Sequence, residues 1–265
     1  MIDIHNHLLI GVDDGPKSEQ DVIELLRQAE GQGITDIIVT PHHYSGDWLN
    51  PKETVLLNIK DIERIINEQQ INIKVYPGHE IRVNEKIIDE LKSGYNMSLN
   101  DSKYVLIEFP FSDYPHFAEQ LLYQLQMNGY VPLIAHPERC KPLIKNPDKL
   151  FDAIEKGAIA QVTSASVTGD LGDNLQETSL EMIKHNLVHI IGSDAHHAET
   201  RPFLLKEAYD VVERELGSEY VERLKFNAEA ILHNKDVRVK PPQKMETHYT
   251  KKSSSKKRKK FLGLF

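Results

Sequence analysis

The chain has 265 residues, 40% of them hydrophobic, which is enough for one sizeable core and suits a single α/β barrel. Its single cysteine, Cys140, excludes an internal disulfide and any cysteine-based metal cluster. The formal net charge of -8 is uneven: KKSSSKKRKK (251–260) holds seven of the 32 basic residues and none of the 40 acidic ones, and the acidic remainder argues against general nucleic-acid binding.

Seven short apolar runs rich in β-branched residues follow one another: IDIH (2–5), DIIVT (36–40), IKVYPG (73–78), YVLIEF (104–109), VPLIAH (131–136), AIAQVT (158–163) and LVHIIGS (187–193). Each reads as a strand. Amphipathic helical patterns lie between most of them. SEQDVIELLRQAEGQG (18–33) places apolar residues at 22, 23, 25, 26 and 29, with Ser18 as N-cap and Gly31 and Gly33 at the end. HFAEQLLYQLQMNG (116–129) and KLFDAIEKG (149–157) have the same character, and LLKEAYDVVEREL (204–216) follows the last strand. Repeated βα units predict a parallel sheet, closed at this length into a barrel. From residue 236 to 265 the pattern gives way to polar and basic residues with a Pro-Pro break, read as a disordered tail. No signal-peptide pattern opens the sequence, and no apolar run nears the ~20 residues of a membrane-spanning helix. The expectation is a cytoplasmic protein.

In a parallel barrel, functional residues gather at the C-terminal ends of the strands. Six of the seven predicted strands deliver His, Asp or Glu there. His5 and His7 end the first, His42 and His43 follow the second, and His79 and Glu80 follow the third. Glu108 lies in the fourth, His136 closes the fifth, and Asp194 and His196 follow the seventh. The sixth, AIAQVTSAS, offers hydroxyls and a glutamine. Imidazoles and carboxylates together suit Zn²⁺, Mn²⁺ or Fe, and the lack of thiolates argues against a structural zinc site. His-x-His in a strand places both rings on one face, where they can share a metal.

These residues carry a resemblance. His5, His7, Asp14 and Gly15, then His42 in TPHH, Glu80 in GHE, His136 in AHPER and Asp194 and His196 in SDAH, resemble the ordered motifs of the PHP (polymerase and histidinol phosphatase) superfamily. Within it, residues 1–235 look very like the manganese-dependent protein-tyrosine phosphatases encoded with bacterial capsule and exopolysaccharide genes. The resemblance implies a distorted (β/α)7 barrel of the PHP type holding three Mn²⁺ ions, although Zn²⁺ or Fe fit the donors as well. Carried over, His5, His7, Glu80 and Asp194 take one ion; Glu80, Glu108 and His136 a second; Asp14, His42 and His196 a third. Arg139 matches the family's phosphate-binding arginine, with Arg201 as a second.

The implied activity is hydrolysis of phosphotyrosine, on the tyrosine-rich tail of a membrane-linked bacterial tyrosine kinase, in control of capsular polysaccharide synthesis. A metal-bridging hydroxide is expected to attack phosphorus in line. The alternative is a small-molecule phosphomonoesterase such as a histidinol-phosphate phosphatase. A cysteine phosphatase needs an arginine six residues after its thiolate; that position holds Asn146. Trp48, in a loop beyond His42, reads either as a loop anchor or as a contact for an aromatic phosphoester. His43, His79 and His197 read as residues beside the ligands, and His116, His185 and His189 as surface residues. The basic tail with FLGLF (261–265) reads as a solvated end, a peripheral membrane contact at the inner face, or a dock for an acidic partner.

Overall fold

A computed structural model describes residues 1–245. Nine parallel strand segments run as β1 (Ile2–Asp3), β2 (Asp36–Val39), β3 (His42–His43), β4 (Lys74–Pro77), β5 (Glu80–Arg82), β6 (Tyr104–Glu108), β7 (Val131–Ala135), β8 (Ile159–Thr163) and β9 (Ile190–Gly192). They occupy seven staves, because β3 continues β2 beyond Pro41, and β5 continues β4 beyond Gly78. One sheet has the order β1-β2-β4 and the other β3-β5-β6-β7-β8-β9, every pair parallel. The sheet curls until the last stave meets the first. There the Asn6–Ala195 bridge, His7 N–H to Ala195 O (2.8 Å) and Asp194 N–H to His5 O (2.7 Å) form the seam. The buried Asp3 carboxylate reinforces it by accepting from Ser193 N (2.8 Å) and Ser193 Oγ (2.6 Å).

Helices cover the outside: α1 (Glu19–Gly31), α2 (Lys52–Glu68), α3 (Ile87–Ser93), α4 (Ala118–Met127), α5 (Lys141–Lys145), α6 (Asp148–Glu155), α7 (Ser164–Thr168), α8 (Asp173–Lys184), α9 (Leu205–Leu216) and α10 (Ser218–Leu232). In α1 the Ser18 cap is present and reciprocal: Ser18 Oγ accepts from Asp21 N, and the Asp21 carboxylate accepts from Ser18 N. Helices α2, α8 and α10 had no counterpart among the quoted sequence patterns. Their N-caps, Pro51, Gly172 and Gly217, make no side-chain capping bond, so no start signal announces them. Burial of apolar faces, such as Val55, Ile59, Ile62, Ile65 and Ile66 of α2, holds them instead. Among the described residues, no helix is long and apolar enough to cross a membrane.

Two apolar layers result. The larger lies between staves and helices, and the smaller fills the barrel with Ile4, Ile38, Leu106, Leu133, Ile159 and Ile190. Ala228, Ile231 and Leu232 of α10 close the end opposite the rim formed by the C-terminal ends of the strands.

Residues 236–245 differ from the expected disordered tail. Arg238 N–H donates to Asn227 Oδ1 (2.7 Å), Asn186 Nδ2 donates to Pro241 O (3.1 Å), and Gln243 N–H donates to His185 O (2.8 Å). Asparagine side chains thus satisfy a backbone that has no sheet partner. His189 is also a correction: it is buried, not a surface residue, and burial with the nearby Arg223 charge pushes its pKa down to about 4. The basic run 251–260 and FLGLF lie outside the described residues.

Candidate metal centre

Each stave but the sixth brings its ionisable residue to one point inside the rim. Glu80 is the hub. Its Oε1 lies 3.3 Å from His5 Nε2 and 2.8 Å from His136 Nε2. Its Oε2 lies 3.5 Å from His7 Nε2 and 2.7 Å from His42 Nδ1. Asp194 Oδ1 faces the same pair of imidazoles, 3.6 Å from His5 Nε2 and 3.5 Å from His7 Nε2. Glu108 stands 3.8 Å from His136 Nε2 and 3.9 Å from His42 Nδ1. Asp14 Oδ1 lies 3.1 Å from His196 Nε2 and 3.5 Å from His42 Nε2. The structure therefore brings all nine candidate ligands together.

Three overlapping donor sets have atoms within 4.8 Å of one another: His7, Asp14, His42 and His196; His5, His7 and Glu80; and His42, Glu80 and Glu108. These sets share His7 and His42, which the residue-by-residue partition assigned to one ion each. His42 faces Asp14 with one ring nitrogen and Glu80 with the other.

The donor atoms fit divalent ions on two grounds. First, His5 Nε2, His7 Nε2, His42 Nδ1, His196 Nε2, Asp14 Oδ1, Glu80 Oε2 and Glu108 Oε2 are buried and make no well-aligned hydrogen bond, although oppositely charged atoms stand as close as 2.7 Å. Buried polar atoms are rarely left so. Second, the carboxylates crowd one another. Burial, with the adjacent Glu80 charge, pushes Glu108 up to about 8. Burial would raise Asp194 too, but contact with His7 and the charges of His5, His196 and Arg201 hold it well below the usual range. Four clustered carboxylates need compensating positive charge at their centre.

The backs of the rings are also held. Gln161 Oε1 accepts from His5 Nδ1 (2.9 Å), Asp13 Oδ2 from His7 Nδ1 (2.8 Å), and the Asp194 carbonyl from His196 Nδ1 (2.8 Å). Each bond fixes a tautomer whose Nε2 lone pair points inward. Asp13 also accepts from Gly15 N (2.9 Å) and His42 N (3.1 Å), so it ties the first loop to the second stave. Glycine is required at 15 and 192: a Cβ would lie 2.3 Å from His7 O at the first and 2.8 Å from His5 Cβ at the second. His136 (φ 31°) and Asp194 (φ 54°) adopt left-handed backbone, costly conformations that concentrate at functional sites.

Gln161 is thus the sixth stave's contribution, passed over because a residue behind a ligand is not itself a ligand type. Replacing it with leucine should weaken metal binding about 10- to 100-fold. Metal titration followed by calorimetry, with circular dichroism to verify folding, checks this.

Arg139 and Arg201 converge on one oxygen, Asp194 Oδ2, at 2.5 Å and 2.9 Å. Arg201 also reaches Asp14 Oδ2 (3.3 Å). Both guanidiniums are partly exposed and border the cluster. Arg82, unnoticed in the sequence, pairs with Glu108 Oε2 at 2.9 Å and donates to Ser45 Oγ at 2.8 Å. Its signal was position, two residues beyond Glu80 on the same strand face. Trp48 stacks on His42 with 5.2 Å between centroids and 7° between planes. His43 and His79 are buried and stacked on each other (4.9 Å) behind the cluster. Cys140 is buried, and burial pushes its thiol up, which is opposite to what a nucleophilic thiolate needs.

The sequence profile of a family described as capsular polysaccharide synthesis, CpsB/CapC, matches residues 1–233. The chain is 42% identical over 265 residues to the tyrosine-protein phosphatase YwqE of Bacillus subtilis, covering 100% of both. It is 30% identical over 229 residues to the tyrosine-protein phosphatase CpsB of Streptococcus pneumoniae, covering 84% of this chain and 94% of the other. A solved structure from work on YwqE and CpsB, described as unique metal-dependent tyrosine phosphatases, superposes with a TM-score of 0.91 at 43% identity, covering 93% of this chain and 100% of the other.

Proposed function

Because the chain belongs to the CpsB/CapC family of capsular polysaccharide synthesis, we propose that it is a metal-dependent tyrosine-protein phosphatase acting in that process. The observation that carries this reading is the placement of two arginines on one edge of a cluster of nine imidazole and carboxylate donors.

The proposed ligands are His5, His7, Asp14, His42, Glu80, Glu108, His136, Asp194 and His196, and the proposed occupants are three Mn²⁺ ions. Such ions supply Lewis acidity and draw the pKa of water from 15.7 towards about 7. Arg139 and Arg201 bind phosphoryl oxygens through paired N–H donors, which orients the phosphorus and offsets charge in the transition state. Gln161 and Asp13 keep His5 and His7 turned inward throughout. Water adds to phosphorus as the bond to the tyrosine oxygen breaks. A phenol has a pKa of about 10 and leaves with less protonation than an alcohol requires.

The same reading takes the substrate as the tyrosine-rich tail of a membrane-linked bacterial tyrosine kinase and the compartment as the cytoplasm. For the basic run 251–260 it keeps three roles open: a solvated end, a peripheral contact at the inner face of the membrane, or a dock for an acidic partner.

The test is turnover of a phosphotyrosine peptide and of histidinol phosphate by metal-replete protein, with and without chelator. Preference for the peptide, lost on chelation and restored by Mn²⁺, is expected. Turnover that survives metal removal overturns the mechanism, and preference for histidinol phosphate overturns the substrate.

A further inference from the structure

Phe111 lies three residues beyond Glu108, where the fourth stave leaves the rim, and is 42% exposed. A large apolar side chain gains by being buried, yet this one remains open beside a polar cluster. Its ring stands edge-on to His136, with centroids 5.6 Å apart. The Arg139 guanidinium carbon lies 4.4 Å from its centroid. Phe111 therefore touches both a candidate metal ligand and a candidate phosphate-binding arginine while keeping free area. Trp48, the other ring at the cluster, differs. It is stacked parallel on His42, and its loop is closed by Tyr44 N–H to Trp48 O (2.9 Å) and Trp48 N–H to Ser45 O (3.1 Å).

We propose that Phe111 is the specificity-determining residue that recognises the aromatic ring of the phosphoester. Because the Arg139 guanidinium lies 4.4 Å from the Phe111 ring, an aryl ester of a phosphoryl group held by Arg139 would have its ring beside the exposed face of Phe111. Aromatic pairs contribute about 0.5–1.5 kcal/mol beyond area burial. An alkyl phosphoester makes the same phosphoryl contacts without this one. The inference rests on the phosphotyrosine reading above and adds the residue that separates aryl from alkyl esters.

The competing role for Phe111 is to steady Arg139, which would help every phosphate ligand equally. Inhibition constants separate the two. Metal-replete wild-type, Phe111→Leu and Phe111→Tyr proteins are compared with phenylphosphonate, methylphosphonate and inorganic phosphate as competitive inhibitors. Wild type should bind phenylphosphonate more tightly than methylphosphonate. Phe111→Leu should narrow that ratio about three- to tenfold, with the constant for inorganic phosphate within twofold of wild type. Phe111→Tyr, which keeps a ring, should retain the ratio. An unchanged ratio in Phe111→Leu, or an equal loss for all three inhibitors, overturns the proposal. Turnover of the phosphotyrosine peptide by wild type is measured alongside, and its absence overturns the functional reading by a separate readout.

Discussion

Glu80→Gln should abolish metal loading and turnover together. Glu80 sets two imidazoles against each of its oxygens, reaching His5 and His136 from one and His7 and His42 from the other. Burial would raise its pKa, but the charges of His5 and His42 and contacts with His136 and His42 hold it well below the usual carboxylate range. It is therefore ionised and available to bridge. An amide of the same shape removes that charge and places an N–H₂ where one donor oxygen stood. Metal chemistry of this kind supplies several kcal/mol of transition-state stabilisation, so a rate loss of about 10³-fold or more is expected. Elemental analysis of the purified variant should show less than the wild-type metal content, and circular dichroism should show an intact fold. A variant that keeps both its metal and its rate would remove Glu80 from the ligand set.

Arg139→Ala should act on the other half of the site. Its kcat/KM should fall about 10²- to 10³-fold, the scale for deleting one transition-state donor, while metal content stays at the wild-type level. Retention of metal follows from Arg201, which sits on the same Asp194 oxygen at 2.9 Å and still offsets that carboxylate. Arg139→Lys should recover little, because a single ammonium cannot reproduce paired donors. Near-normal turnover by either variant would reject the role, and loss of metal would move Arg139 into support of the ligand cluster.

The sequence made the rim legible because two periodicities met there. Apolar runs placed the staves, and the polar residue ending each run fell at the same end of a parallel barrel. What it hid is equally physical. Gln161 acts on the back of His5 from a different stave, and Asp13 on the back of His7 from the loop that follows the first stave, relations that no strand period encodes. Arg82 shares a strand with Glu80 but reaches Glu108 on the next. The breaks at Pro41 and Gly78 depend on how the staves bend at the rim. The segment after residue 235 carries no hydrophobic period, so the bonds from Asn186 and Asn227 that hold it could be found only in three dimensions.

The seam between the last stave and the first rests on the single Asn6–Ala195 bridge and its two backbone bonds, and it is where His5 and His7 face Asp194 and His196. About three-quarters of the described chain separates those two pairs in sequence, so nothing local can preassemble them. Ions gripped from both sides would act as a clasp on the barrel, joining its beginning to its end much as a long-range crosslink does. Chemical competence then becomes a checkpoint on assembly: a chain whose last stave has not docked lacks Asp194 and His196, two of the nine candidate donors, and the site they would complete stays open until the barrel closes.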